Sequence, residues 1–279
     1  MYLFCFLSGG VDSSVAAHLA IDSKVTAIGI SHINWPESKC CELNALRQCE
    51  SFCQNLNIPY YKIDCLIPFC KKVVDNFCNT YFCGETPNPC VICNEKIRFD
   101  FLIKTVLKNL KIKADQDYKI VTGHYAQVEY KRNQYFLKKG IDQAKDQSYM
   151  LYRLNQAQLS RCFFPLGRLT KKAVRELACK WQLESAQKSD SQDACFLDQP
   201  YPEFIVRYLE KQPKKGVFID ENGKVLGEHQ GIIYYTRGQR KGLNLPDGPW
   251  FVKQIDFSNN QIVLARKENL YLKKFKEKI

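Results

Sequence analysis

The stretch from Tyr2 to Ile21 constrains the fold of this chain more than any other. An apolar run, Tyr2–Leu7, reads as a buried strand. Ser8-Gly9-Gly10-Val11-Asp12-Ser13-Ser14 follows at once and opens a helix from about Ser13 to Ile21. A strand that is apolar along its whole length and turns directly into a helix belongs in a parallel sheet. The pattern then repeats. Val25–Ile30, Tyr60–Ile63 and Ile120–Thr122 read as strands, and Cys41–Leu56, Ile67–Phe82 and Lys96–Leu110 as helices. In the last of these, Phe99, Leu102, Ile103, Val106, Leu107 and Leu110 share one face. This β-α-β-α order predicts an α/β fold, a parallel sheet with helices on both faces, with ligands beyond the C-terminal strand ends. The opening apolar run is seven residues long, with no positive charge ahead of it. It is too short for a secretory signal, and no run approaches the roughly 20 residues of a membrane span. The expectation is a cytoplasmic protein that does not engage a membrane.

After Gly140 the pattern changes. Helical stretches near Gln147–Leu154 and Lys171–Trp181 lead into Ser189–Asp198, which has no clear period. From Gly216 the chain reads as short strands, Val217–Ile219, Gly231–Tyr235, Phe251–Ile255 and Gln261–Ala265. Turns at Glu221-Asn222-Gly223 and Pro246-Asp247-Gly248-Pro249 separate them. The expected division is a catalytic domain over 1–198, a small mostly-β second domain over 199–265 and a basic tail over 266–279.

The loop after the first strand is suited to phosphate. Gly9 and Gly10 let the backbone approach closely and tolerate positive φ, and the helix start offers N–H groups and a favourable dipole. Ser8, Ser13 and Ser14 add hydroxyls. Asp12 would repel phosphate unless a cation or the helix start offsets it, which points to a Mg2+-bound pyrophosphate. The Gly-Lys-Ser/Thr of a Walker loop and the G-x-G-x-x-G of a dinucleotide site are both absent. A capped Gly-Ser turn is the plain alternative, which the strand–loop–helix setting disfavours.

The net charge of +12 attracts polyanions, phosphate backbones first among them. Fourteen cysteines without an export signal are mostly reduced core residues. Leu46, Cys49, Cys53 and Leu56 recur at helical spacing, as do Phe69, Cys70, Val73, Val74, Phe77 and Cys78. Two segments differ. In Thr86-Pro87-Asn88-Pro89-Cys90-Val91-Ile92-Cys93-Asn94 the prolines hold the loop extended, and Cys93 sits near a helix start, where a thiol pKa falls. Half a zinc site or a redox pair would also use Cys-x-x-Cys, but no second such pair is present for zinc. Cys195, in Asp190-Ser191-Gln192-Asp193-Ala194-Cys195-Phe196, lies far along the chain, so only the fold can unite it with Cys93.

The loop resembles that of the pyrophosphate-loop ATPases, marked by Ser-Gly-Gly-x-Asp-Ser, which pass AMP from ATP to a substrate oxygen. Further segments resemble the MnmA family of tRNA 2-thiouridylases. They are Thr86–Asn94, Thr122-Gly123-His124-Tyr125, Lys145-Asp146-Gln147-Ser148-Tyr149, Asp190–Phe196, Gly227-Glu228-His229-Gln230-Gly231 and Thr236–Leu243. The resemblance implies an adenine nucleotide alpha hydrolase-like fold and an enzyme using ATP and Mg2+. It also implies a tRNA substrate with a wobble uridine, and a sulfur-relay protein or cysteine desulfurase as donor.

By that resemblance Leu7, Ser8, Gly9, Gly10, Val11, Asp12 and Ser13 hold the ATP phosphates, while His32 and Gly123 contact the adenylate. Asn88, Pro89 and Cys90 face the target base, and His124, Lys145, Asp146 and Gln147 touch tRNA. Cys195 carries a persulfide that Cys93 attacks, releasing sulfide and leaving a transient Cys93–Cys195 disulfide. Two departures from the family pattern matter. Cys90 stands where many members carry an aspartate, so Cys90, Cys93 and Cys195 could instead hold a [4Fe–4S] cluster. The resemblance also stops short of the family's usual C-terminal β-barrel. Two other functions fit parts of the pattern: a small-metabolite synthetase that needs no cysteine, and a tRNA-binding module without catalysis.

Overall fold

The structure, a computed structural model, describes residues 1–35, 43–113, 115–188 and 194–270. Contacts divide the chain into two units, one of Met1–Val73 with Pro89–Asp198, the other of Val74–Asn88 with Gln199–Ile279.

In the first unit β1 (Tyr2–Phe6) passes through the glycine loop into helix α1 (Val11–Ala20), and β2 (Thr26–Ile33) follows. Helix α2 (Leu43–Asn55), β3 (Tyr60–Asp64) and a short helix, Leu66–Phe69, come next. The predicted start of α2 at Cys41 lies outside the described residues. β4 (Tyr118–Val121) leads to an antiparallel hairpin of β5 (Ala126–Lys131) and β6 (Gln134–Lys139), and β7 (Cys162–Phe163) ends the series. The main sheet has the order β3-β2-β1-β4-β7, and every pair in it is parallel.

Strand β1 explains why helices cover both faces. Successive side chains of a strand point to opposite sides. Leu3, Cys5 and Leu7 share one core cluster with Val11, Val15 and Ala16 of α1, Cys49, Phe52 and Cys53 of α2, and Val174 and Ala178 of the helix Lys171–Lys180. Phe4 and Phe6 point the other way, onto Tyr118 and onto Phe99 of the helical segment Cys93–Phe101.

Two local expectations are corrected, and one element is new. The helix predicted over Lys96–Leu110 begins earlier, at Pro89, and runs as Pro89–Ile92, Cys93–Phe101 and Leu102–Asn109. Proline suits a first helical position because its missing N–H would have had no intrahelical partner. The middle segment bonds i→i+5 rather than i→i+4, a π ladder. The helix predicted over Gln147–Leu154 shrinks to a single tight turn, Ser148–Met150. There the Asp146 carboxylate accepts from Ser148 N–H at 3.3 Å, Ser148 Oγ at 2.8 Å and Gly140 N–H at 3.0 Å, folding the chain back on itself. The β5–β6 hairpin was not expected from the sequence. Its turn, Arg132-Asn133, has φ of 50° and 59°, the left-handed pair that two-residue hairpins require.

The second unit contains a helix Asp75–Phe82, a helix Tyr201–Leu209 and a four-stranded sheet. The strands are β8 (Gly216–Ile219), β9 (Val225–His229), β10 (Phe251–Asp256) and β11 (Gln261–Ala265), in the order β10-β11-β8-β9. The strand predicted over Gly231–Tyr235 is instead a turn, Ile232–Tyr234. His229 causes this: Gly231, at φ 148°, donates its N–H to His229 Nδ1 at 3.1 Å and so leaves the β ladder. His229 Nε2 donates to Asn260 O at 3.3 Å, and the ring packs on Phe218 and Tyr235. The Gly227–Gly231 segment thus holds this unit together. Of the predicted tail, 266–279, Lys267–Asn269 form a short turn and residues 271–279 lie outside the described residues.

Candidate active site

In the main sheet β1 lies between β2 and β4, so the chain leaves β1 in one direction and returns on its other side. Parallel sheets bind ligands at such a reversal, beyond the C-terminal strand ends. A cavity of about 140 Å³ opens there. Phe6, Leu7 and Ser8 line it from the end of β1, His32 from β2, and Thr122, Gly123 and His124 from the end of β4. Asp12 and Ser13 of α1, Gln147 and Arg98 complete the wall.

The loop's own hydrogen bonds hold it. Ser13 Oγ accepts from Ser8 N–H at 3.2 Å, lies 3.2 Å from Ser8 Oγ and donates to Gly10 O at 3.0 Å. Gly9 sits at φ 72°, where a Cβ would also fall 2.9 Å from Ala45 Cβ. A Cβ on Gly123 would lie 2.7 Å from Asp12 C and 2.8 Å from Ser13 N. Glycine at 123 is therefore what lets the end of β4 press against the start of α1. Gly10 caps α1, and the Val11 side chain is buried in the core, so only its backbone serves the loop.

The charge of Asp12 is already balanced. Lys171 Nζ donates to both carboxylate oxygens at 2.8 Å, and Tyr125 Oη donates to Oδ1 at 2.9 Å. A second lysine, Lys188, donates to Gly9 O at 3.1 Å. Sequence reasoning missed both, because the partners lie far apart in the chain and leave no local signal.

His32 and His124 are buried. Burial, reinforced by the nearby Arg98 charge, pulls both imidazoles down to about 3, so they are neutral at physiological pH. Arg98 NH1 lies 3.5 Å from His124 Nε2 and can only donate to it, which leaves the His124 proton on Nδ1, 2.7 Å from Thr122 Oγ1. Arg98 was also missed. A signal existed, since it stands four residues before Leu102 and so on the apolar stripe of its helix, an unusual place for a cation.

The four residues expected to touch tRNA lie on two neighbouring segments, joined where Gln147 N–H donates to Tyr125 O at 3.0 Å. His124 and Gln147 belong to the cavity wall; Gln147 Oε1 accepts from Tyr125 N–H at 3.1 Å. Burial would raise the Asp146 pKa, but the bonds from Gly140 and Ser148 outweigh it and the net shift is downward. Lys145 is half-buried beside it.

Cys90 and Cys93 lie on the helix that carries Arg98. Because that helix starts at Pro89, Cys90 occupies its first turn and Cys93 the next, which moves the helix-start argument from Cys93 to Cys90. Burial nevertheless raises the Cys90 pKa, against the opposing pull of Arg98. Asn88 is exposed and Pro89 half-buried. Cys195 is half-buried, and the buried ring of its neighbour Phe196 packs on Phe69 at 5.8 Å and Trp35 at 6.4 Å. Of the segment Asp190–Phe196, residues 190–193 lie outside the described part.

Among the described residues no disulfide is present, and Cys93 and Cys195 are thiols. No group of three His, Cys, Asp or Glu side chains among the described residues is arranged to hold a metal ion. Cys90, Cys93 and Cys195 as placed therefore do not fit an iron–sulfur cluster. No helix among the described residues is long and apolar enough to cross a membrane.

Comparison with known proteins accords with this geometry. Residues 1–199 match the family described as tRNA methyl transferase HUP domain, and residues 202–266 the one described as tRNA methyl transferase PRC-barrel domain. The chain is 43% identical to tRNA-specific 2-thiouridylase MnmA 2 of Thermoanaerobacter sp. (strain X514), over 95% of this chain and 75% of that protein. It is 41% identical to tRNA-specific 2-thiouridylase MnmA of Carboxydothermus hydrogenoformans, over 95% of this chain and 74% of that one. Among solved structures, U34-tRNA thiolase NcsA from Methanococcus maripaludis with its [4Fe-4S] cluster aligns with a TM-score of 0.41 and 17% identity. That alignment covers 75% of this chain and 65% of NcsA, a likeness too loose to inform the site.

Proposed function

The chain belongs to the MnmA family of tRNA-specific 2-thiouridylases, and from that premise we propose how its own residues divide the work of sulfur transfer to tRNA. MgATP is the first substrate. Its phosphates lie against the loop Leu7–Ser13, where the α1 start and the serine hydroxyls receive negative charge. Lys171 keeps Asp12 from repelling them. His32, Gly123 and Gln147 line the nucleotide, and the neutral imidazoles orient it without adding charge. Mg2+ arrives with the triphosphate as part of the substrate.

The wobble uridine enters at Asn88–Cys90. Its C2 oxygen attacks the α-phosphorus of ATP and the bond to the β-phosphate breaks, releasing pyrophosphate. The oxygen, a poor leaving group alone, becomes a good one as AMP. Holding the reactants in line and neutralising charge supply most of the acceleration. A burial-raised pKa keeps Cys90 protonated, so it offers an S–H beside the base rather than a carboxylate's basicity.

Sulfur arrives on Cys195 as a persulfide, donated by a sulfur-relay protein or a cysteine desulfurase. The Cys93 thiolate attacks the Cys195 Sγ, forming the Cys93–Cys195 disulfide and expelling sulfide. Sulfide adds at C2, AMP leaves, and an external thiol reduces the disulfide. The thiols of the resting protein are the expected start of this cycle. We place the protein in the cytoplasm, where tRNA and reduced thiols occur together.

One observation carries this reading. The helix that begins at Pro89 bears Cys90 and Cys93, and its next turn sends Arg98 into the cavity formed by Ser8 and Gly123. One continuous helical run thus carries both cysteines and a residue of the cavity wall, which supports a link between sulfur chemistry and nucleotide. The test uses ATP, unmodified tRNA and a persulfide donor, with 2-thiouridine measured by nucleoside mass spectrometry. Cys93→Ser and Cys195→Ser should abolish thiolation while leaving tRNA-dependent pyrophosphate release. Undiminished 2-thiouridine from Cys195→Ser would refute the assignment.

A further inference from the structure

Among the described residues Arg98 is the one cation on the cavity wall, because His32 and His124 are neutral. Its NH1 donates to Asn94 Oδ1 at 3.3 Å and approaches His124 Nε2, both uncharged groups. Its Nε is buried and has no hydrogen-bond partner among the described residues. The one carboxylate on the wall among the described residues, Asp12, is already taken by Lys171. Among the described residues this half-buried guanidinium, its Nε fully buried, is therefore left without a counter-ion, an arrangement that costs stability unless an anion completes it. The planar fork of arginine matches phosphate oxygens two at a time. Arg98 also lies five residues after Cys93, one hydrogen-bonded step along the π ladder.

We propose that Arg98 is a catalytic residue of the adenylation step, its guanidinium binding the α-phosphate oxygens of ATP and remaining on the phosphate of the adenylated uridine until sulfur displaces it. This rests on the cavity being the nucleotide site. When the uridine oxygen forms its bond to phosphorus, the electron pair of the broken bond leaves with pyrophosphate, and the non-bridging oxygens stay negative. When sulfur adds at C2, the carbon–oxygen bond breaks and its pair leaves with AMP. The same phosphate bears charge through both steps, so one fixed cation serves both.

The test compares AMP with adenosine, which lacks the phosphate, by calorimetry on the full chain. The unmodified protein should prefer AMP. Arg98→Gln should lose that preference by about ten- to a hundredfold, the range for a charge-assisted hydrogen bond, and keep its adenosine affinity. Arg98→Lys, which restores charge without the fork, should recover part of it. Turnover in tRNA-dependent pyrophosphate release should fall in Arg98→Gln while the KM for tRNA holds. Adenosine affinity also reports on folding; if Arg98→Gln loses it, Arg98→Met carries the same comparison. An unchanged AMP-to-adenosine ratio in a variant that still binds adenosine overturns the proposal. Unmodified protein that thiolates tRNA but binds neither ligand refutes the nucleotide assignment itself, and the proposal with it.

Discussion

Gly123→Ala isolates how closely the end of β4 must approach the phosphate loop. The added Cβ would stand 2.7 Å from Asp12 C, 2.8 Å from Ser13 N and 2.9 Å from Asp12 O, all backbone atoms that no rotamer change can move. Carbon contacts settle near 3.5 Å or beyond, so the strand end and the loop must part by about 0.8 Å. Overpacking of this kind costs about 1–3 kcal/mol. In a domain of this size that lowers the melting temperature by roughly 2–4 °C per kcal/mol. The loss in catalysis should be larger in proportion, because displacing a positioning group by about 1 Å costs on the order of a hundredfold. Differential scanning calorimetry and tRNA-dependent AMP formation on one preparation test both parts. A variant that melts a few degrees low and turns over about a hundredfold slower fits. Near-normal turnover would show that the loop does not depend on its contact with residue 123, and the argument for a preformed cradle would fall.

Other perturbations probe separate parts of the site. Lys171→Met leaves the Asp12 carboxylate, 29% exposed, with the Tyr125 hydrogen bond but no cation on it among the described residues; ATP affinity should drop about tenfold, the worth of one charge-assisted contact, and Asp12→Asn should restore it in the double variant. A single variant with unchanged affinity would remove Lys171 from the site. Asp146→Ala deletes the acceptor for three bonds and should destabilise the fold by about 1–2 kcal/mol; unchanged stability would show that these bonds do not hold the turn. For pH, His32 and His124 fall from 6.5 to about 3 on folding. Below 6.5 the unfolded chain takes up protons that the folded one refuses, so stability is level above that pH. It declines on acidification toward 3, by up to about 1.4 kcal/mol per unit for each histidine. Melting temperatures that do not change between pH 8 and 5 would contradict this burial.

Much of the fold could be read locally because local physics decides it. The run Tyr2–Leu7 is apolar at every position because β1 is covered on both faces, and the glycines after it permit a turn that side chains would block. The same local view failed where distant atoms decide. The turn after Asp146 is tied down where Tyr125 N–H donates to Gln147 Oε1, 22 positions away, and His229, which draws the Gly231 N–H off the sheet, is anchored on Asn260 O, 31 positions away. The site divides in the same way. The phosphate loop and Gly123 are visible as motifs. Lys171 and Lys188 acquire meaning only once the chain brings them beside Asp12 and Gly9, and Arg98 only once its helix is seen to start at Pro89.

The buried cysteines have a consequence of their own for a protein that handles reactive sulfur. Burial pushes the thiols of Cys5, Cys53 and Cys78 up to about 12, and raises that of Cys162 as well. Sulfur atoms pass between thiolates, and these side chains almost never ionise. The interior is thus insulated from the chemistry at its surface. A mobile sulfur atom finds poor acceptors in these four thiols, rich in cysteine though the chain is.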